Sequence, residues 1–465
     1  MLTHLANGES RTSFWPRVRE FAVPAAMIET ATARRRAGDW AGACAAAAVD
    51  VDLNLRFVAN RHGRELAARV RADLRRLAPD LLRWHLPRIA PDGLLRPGLT
   101  LSLARYGGLG PDRAGAVHLV VRTPPAWANA GQRISLAVWD GSRAGTGACR
   151  PPHPRPHRRY RLDLHRHLWD ADRSGELRSR SGADPSSSEP AAAERVDPEA
   201  WGIPPGLPCA VDRWAAEAGI LLATEGRDAG RVVVWLGAGR RLVLHVVNAP
   251  TAPRIAAVAR RGATSAALPV LPDAATWMPP DLDLVRRGAI GPGRLHPLVA
   301  AALVPGHAPD AGSPRPDPAG GPRIVECRGA AHRIGVVDGV LVPLDHDPDE
   351  LRREELLVAL TGTPLPCLRV IDEAHRRPDC LPDVRERLHH GDVAGALAVV
   401  EGLLGPDAVL RHGALRDELA EAARRRVAYG LFRAGLVEPG VTPGEPPSTR
   451  HRHRRARRRR TPLTR

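Results

Sequence analysis

Leu381-Pro382-Asp383-Val384-Arg385-Glu386-Arg387-Leu388-His389-His390-Gly391-Asp392-Val393-Ala394-Gly395-Ala396-Leu397-Ala398-Val399-Val400-Glu401-Gly402-Leu403-Leu404 reads as a helical hairpin. Gly391 suits the left-handed conformation that stops one helix, and Asp392 suits the N-cap of the next. Val393, Leu397, Val400 and Leu404 then recur at the spacing of one buried stripe. The motif has an echo near the other end of the chain. Gly38-Asp39-Trp40-Ala41-Gly42-Ala43-Cys44-Ala45 matches Gly391 to Ala398 at six of eight positions. An Arg-His-Gly opens a further helical stretch after each copy, at Arg61-His62-Gly63 and Arg411-His412-Gly413.

The chain of 465 residues is 43% hydrophobic, enough for a sizeable core, and its length suggests two to four domains. It contains no lysine, so all 68 Lys+Arg residues are arginine. Phosphate binding through a P-loop lysine, Schiff-base catalysis and the kinase Lys-Glu pair therefore lack their usual amine. The net charge of +17 sits in an Arg-, Ala-, Gly- and Pro-rich composition of the kind that high-GC coding produces, which weakens it as evidence for nucleic acid. Nine arginines against the single Glu445 place nearly half of that charge between Val441 and Arg465. Cys44, Cys149, Cys209, Cys327, Cys367 and Cys380 form no C-x-x-C and read as reduced, partly buried thiols of a cytoplasmic protein. No apolar run reaches the ~20 residues of a membrane span, and residues 1–26 lack a signal-peptide core. Helical patterning starts at Met27, which makes that methionine an alternative start.

Composition and periodicity divide the chain as follows: an extension 1–26, a helical block 27–97, an antiparallel β region 98–178, a disordered linker 179–199 and an αβ region with a hairpin 200–304. A Pro/Gly linker 305–322, a three-strand meander 323–346, a helical block 347–437 and a disordered basic tail 438–465 complete it. In the first block Leu66, Val70, Leu74 and Leu77 line one helix face, with arginines 64, 69, 71, 75 and 76 on the rest. In the β region, strands are expected near 99–103, 116–122, 133–139 and 160–169, with a mobile Pro-rich connection from Ser142 to Arg159. A helix is expected near Pro208 to Ala218. Gly237-Ala238-Gly239 turns a hairpin between Arg231–Leu236 and Arg240–Val247, because strand residues follow it where a dinucleotide fingerprint would open a helix. Asp338-Gly339 is the strongest hairpin signal. Asp347-Pro348-Asp349-Glu350 supplies N-cap, first helical proline and reciprocal cap for a helix that ends at Gly362.

Four groups offer chemistry. Asp163-Leu164-His165-Arg166-His167, read as a strand, projects Asp163, His165 and His167 from one face, a set suited to a divalent transition metal with an open position for water. The alternative is the polar face of an edge strand. Asp345-His346-Asp347 is a second acidic cluster, accounted for largely by capping. His296 and His332 have no visible partner. Arg450, Arg452, Arg454, Arg455, Arg457, Arg458, Arg459 and Arg460 form a polyanion-binding tail without aromatics for base stacking.

Val370-Ile371-Asp372-Glu373-Ala374-His375 resembles the Walker B motif of DEAH-type helicases. With no lysine to complete an upstream phosphate loop, the stretch reads as a solvated helix face. The two hairpins loosely resemble ankyrin-type and tetratricopeptide-type units, and the chain is similar in look to high-GC bacterial proteins carrying such hairpins. That resemblance implies interaction surfaces and no activity. The expectation is an α+β protein with helical N- and C-terminal blocks flanking two small antiparallel β-rich regions. Its expected function is a non-catalytic scaffold for an unknown protein partner, without cofactor or membrane attachment. A metal-dependent hydrolase using Asp163, His165 and His167, and a nucleic-acid binder using the tail, are the alternatives.

Overall fold

Helical periodicity and well-placed caps build the first elements of the computed structural model, which describes residues 14–107, 116–141, 155–184, 198–237, 239–248, 252–260, 268–307, 323–327, 329–337, 340–362, 366, 368–369, 380–404 and 413–436. The elements α1 (Trp15–Phe21), α2 (Ala25–Arg36), α3 (Trp40–Ala46), α4 (Leu55–His62), α5 (Arg64–Arg76) and α6 (Pro79–His85) follow one another. The α5 stripe is buried at Val70 and Leu74 as expected, and Arg64, Arg69, Arg71 and Arg75 are exposed. Residues 14–26, set apart in the sequence as an extension, send Phe14, Trp15 and Val18 into the main core. A start at Met27 would strip that core of α1.

The block 27–97 is not wholly helical. Val49-Asp50-Val51-Asp52 alternates with period two and forms β1 (Val49–Asp52). A short hairpin of β2 (Arg88–Ile89) and β3 (Leu94–Leu95) precedes β4 (Thr100–Tyr106), β5 (Val117–Arg122) and β6 (Ile134–Trp139). The last three form the expected antiparallel meander, and β1 adds in parallel beside β6, giving the order β1-β6-β5-β4. The expected strand at 160–169 is instead a pair of 3₁₀ turns, Leu162–Leu164 and Arg166–Leu168. There the N–H groups of His165, Leu168 and Trp169 bond carbonyls three residues back, and the Trp169 indole donates to the Leu162 carbonyl at 3.0 Å. These internal bonds leave no ladder to extend.

Of the connection read as mobile, residues 155–159 are described, and Arg159 is anchored to Asp273 by two bonds of 2.8 and 2.7 Å. Of the linker 179–199, residues 179–181 end α7 (Leu177–Ser181), and Gly182 caps it in the left-handed conformation. The αβ region holds α8 (Trp214–Thr224), which begins later than the sequence suggested, and a sheet of β7 (Gly230–Gly237), β8 (Arg240–Val247) and β9 (Arg254–Arg260). It then continues through α9 (Asp273–Thr276), α10 (Pro280–Arg286) and α11 (Pro297–Leu303). One core draws on residues from Phe14 to Leu303; a second gathers Trp214, Leu221, Val232, Val234 and Leu244.

The meander of β10 (Arg323–Cys327), β11 (Ala330–Val337) and β12 (Val340–Pro343) leads to α12 (Pro348–Thr361), with Asp347 accepting the Asp349 N–H at 2.9 Å and Gly362 left-handed, as read. Asp338 and Gly339 lie outside the described residues. The C-terminal elements are α13 (Leu381–His390), α14 (Val393–Leu404) and α15 (Ala414–Arg433). Among the described residues no helix is long and apolar enough to cross a membrane.

Both copies of the opening motif build the same corner. Gly38 and Gly391 have φ of +77° and +90°. Asp39 accepts from the Gly42 N–H at 2.8 Å, and Asp392 from the Gly395 N–H at 2.9 Å. The Asp39 and Asp392 N–H groups reach back to the Arg34 and Arg387 carbonyls at 2.9 and 2.8 Å, and the same arginines bind the capping carboxylates. Only the second corner is covered. Gly391 packs on the backbone of Gly131, where a Cβ would collide with the Gly131 carbonyl, whereas a Cβ at Gly38 meets nothing. Gly38→Ala is therefore expected to cost about 1–2 kcal/mol of backbone strain. Gly391→Ala is expected to cost about 2–3 kcal/mol, because steric overlap adds to that strain. Equal urea midpoints for the two variants would contradict this docking.

That docking joins the two ends of the chain. Arg17 pairs with Glu386 at 3.3 Å, and the Arg387 guanidinium lies 5.5 Å from the Phe21 ring centre. Tyr429 of α15 donates to Asp50 of β1, and Arg433 pairs with Asp52.

Candidate functional site

The chain gathers its buried charge at a cleft between the two larger cores. Trp15 and Arg19 come from α1, and Trp84 and His85 from the last turn of α6. His167 and Leu168 come from the second 3₁₀ turn, Leu177 and Arg180 from α7, and Asp273, Trp277, Met278, Pro279 and Asp283 from α9, α10 and the chain between them. The cleft encloses about 910 Å³, counting its open mouth.

Its floor is an ion pair. Arg19 binds Asp281 at 2.7 and 2.9 Å, both side chains being almost wholly buried, and the Trp84 indole N–H points to the same carboxylate at 3.2 Å. The guanidinium lies 4.8 Å from the Trp15 ring centre and 4.3 Å from that of Trp84, a cation held between two aromatic faces. Burial still lowers the Arg19 pKa, against the pull of Asp281. Beside it, Asp80 accepts the His296 Nε2 proton at 3.0 Å, because His296 Nδ1 is already accepting from the Leu298 N–H. The histidine left unassigned in sequence thus caps α11 and pairs with a carboxylate 216 residues away. Both its nitrogens are engaged, which makes it a structural group.

The walls carry three neutral imidazoles. Burial pushes His85 down to about 4, with Asp281 opposing and Arg19 and His296 reinforcing the shift. His165 and His167 are lowered well below the usual range, first by burial and then by Arg180 and other neighbouring groups. Glu217 goes the other way: burial would raise it, but Arg180, at 2.7 and 2.6 Å, and Arg213, at 2.7 Å, hold it ionised. Among the described residues His85 Nε2, His165 Nε2 and His167 Nδ1 are buried without a hydrogen-bond partner. Unpaired polar atoms gathered at a cleft are the feature that separates a binding site from packed core.

The expected metal set is not brought together on one strand face. Asp163 is gripped by Arg161 at 2.7–3.1 Å, His165 Nδ1 receives the Arg180 guanidinium at 3.3 Å, and the His165 and His167 rings meet edge to face with centres 5.7 Å apart. Among the described residues no three His, Cys, Asp or Glu side chains are arranged to hold a metal ion. In the second acidic cluster Asp347 is the helix cap, Asp345 binds Arg333, and His346 stacks on His332 with ring centres 4.1 Å apart. The DEAH-like stretch 370–375 and the arginines from Arg450 to Arg460 lie outside the described residues.

Sequence reasoning did not single out Trp15, Arg19, Trp84, His85 or Trp277. The signal present was ten tryptophans in a chain with only seven other aromatic residues. Comparison with protein families, curated proteins and solved structures finds no match to this chain.

Proposed function

We propose that this chain is a small-molecule-binding protein whose ligand sits in the cleft between α1, α6, α7 and the α9–α10 segment. The observation that carries the reading is convergence: separate parts of the chain bring apolar walls and buried, unpartnered imidazole nitrogens to one cavity. Cavities of this size and mixed lining suit an organic molecule of modest mass. Catalysis is not part of the proposal, since the imidazoles are too weakly basic for proton transfer at neutral pH.

The test uses Ala274, a partly exposed residue of the wall. Ala274→Trp fills the cleft from its rim. A ligand found by thermal-shift screening and supplied at 100 times its Kd should stabilise the wild type by about 2.7 kcal/mol. The same ligand should leave Ala274→Trp unmoved. An equal shift in the variant places the ligand elsewhere and defeats the proposal.

A scaffold role ranks second. Its support is the exposure of Leu356 on α12 and Val427 on α15, at 65% and 63%, but isolated apolar residues are ordinary on protein surfaces.

A further inference from the structure

The geometry points to the class of ligand, an inference that rests on reading the cleft as a small-molecule site: an uncharged aromatic molecule whose hydroxyl or N–H group donates to His85 Nε2. Three observations converge on it.

The first is a tautomer fixed by the backbone. His85 Nδ1 lies 3.1 Å from both the Leu81 carbonyl and the Leu168 carbonyl. Carbonyl oxygens only accept, so in the neutral ring the proton is on Nδ1 and the lone pair is on Nε2. Nε2 has no partner among the described residues. The cleft therefore offers an acceptor. His167, only 4% exposed and lining the same cleft, adds a second unpartnered nitrogen at Nδ1.

The second is charge. Each ionised wall residue already holds its counter-ion within the chain: Arg19 with Asp281, Asp273 with Arg159, Arg180 with Glu217, and Asp283 with Arg287 at 2.8 Å. An entering carboxylate or ammonium would lose its hydration and find no uncompensated opposite charge. A neutral ligand avoids that loss.

The third is shape. Trp277, Leu168, Leu177, Met278 and Pro279 supply flat or deformable apolar surface, against which an aromatic ring buries area on both faces.

The test is a titration of the full chain at neutral pH with four probes of one size: 2-naphthol, naphthalene, 2-naphthoate and naphthylmethylammonium. The naphthol should bind about ten-fold more tightly than naphthalene, since it satisfies an acceptor that the hydrocarbon leaves buried and unpaired. Both ions should bind more weakly than the naphthol. In His85→Phe the preference for naphthol over naphthalene should vanish. Because that variant removes a buried contact, an independent readout uses the unaltered protein. With ¹⁵N-labelled histidine, the unprotonated Nε2 resonance of His85 should move on adding 2-naphthol and stay put with naphthalene.

Equal binding of naphthol and naphthalene, tighter binding of either ion, or a naphthol-insensitive His85 signal each overturns the ligand class. Those outcomes leave the cleft proposal intact if ligands still stabilise the wild type and not Ala274→Trp. Should no probe bind and no screened compound distinguish those two proteins, the cleft reading fails together with the class.

Discussion

Arg83→Met is expected to destabilise the protein by about 3–5 kcal/mol and to expose the C-terminal helices to protease. Arg83 is fully buried, yet it meets no carboxylate among the described residues. Its Nε donates to the Ala22 carbonyl at 2.9 Å, Nη1 to the Gln132 carbonyl at 2.5 Å and Nη2 to the His390 carbonyl at 2.9 Å. Ala22 is the C-cap of α1 and His390 the last residue of α13, so two of the three acceptors are the negative ends of helices. Convergent peptide dipoles replace a counter-ion. Burial nonetheless lowers the guanidinium to about 10, which keeps it charged at neutral pH. Methionine fills most of the volume but leaves three buried carbonyls without donors, each costing about 1–3 kcal/mol. Urea unfolding measures the loss. Arg424→Met, which breaks only the exposed pair with Glu421, should fall within about 0.5 kcal/mol of wild type. Similar midpoints for the two variants would sink the assignment.

Acidification should weaken the fold well before its carboxylates titrate. His85 is pushed to about 4 and His390 to about 3, in each case first by burial, and His165 and His167 are lowered as well. Each ring has its unfolded value near 6.5. Below that pH the unfolded chain binds protons that the folded chain refuses, so stability rises with pH and the contribution is complete only above about 6.5. As pH falls, each histidine removes about 1.4 kcal/mol per pH unit until its folded pKa is reached, near 4 for His85 and 3 for His390. Asp50, Asp73 and Glu217 sit below their usual values, so their protonation adds a loss only at lower pH. The window from about 6.5 to 4.5 belongs to the histidines. His390 is the cleanest probe: neither ring nitrogen has a hydrogen-bond partner, and the Glu386 carboxylate lies 3.8 Å away. His390→Leu should lose one proton's worth of slope in a plot of urea midpoint against pH. A flat wild-type profile from pH 7.5 to 4.5 would mean that these rings are not held neutral.

The cleft was invisible in the sequence because no local pattern encodes it. Arg19 finds Asp281 262 residues away, and Arg83 finds the His390 carbonyl 307 residues away. A search by spacing led to Asp163, His165 and His167, whose alternation holds only for extended backbone. In 3₁₀ turns those side chains separate, and Arg161 and Arg180 take up two of them. Conversely, the Val-Asp alternation at 49–52 was a legible strand signal, overridden in the sequence reading by the helical pattern on either side.

The sequence by itself determined the corners and caps. Gly391 with Asp392, Gly38 with Asp39, Asp347 with Pro348, and the hairpin glycines Gly237 and Gly239 act within a few residues through φ preference and side-chain-to-backbone bonding, and such effects do not depend on distant partners. Tertiary structure alone decided that the second corner docks on Gly131, that α1 belongs to the core, and that buried arginines and histidines converge on helix ends and on one cleft. The physical reason is that the cost of burying a charge or an imidazole depends on which dipoles and counter-ions surround it, and those are set by packing between segments hundreds of residues apart.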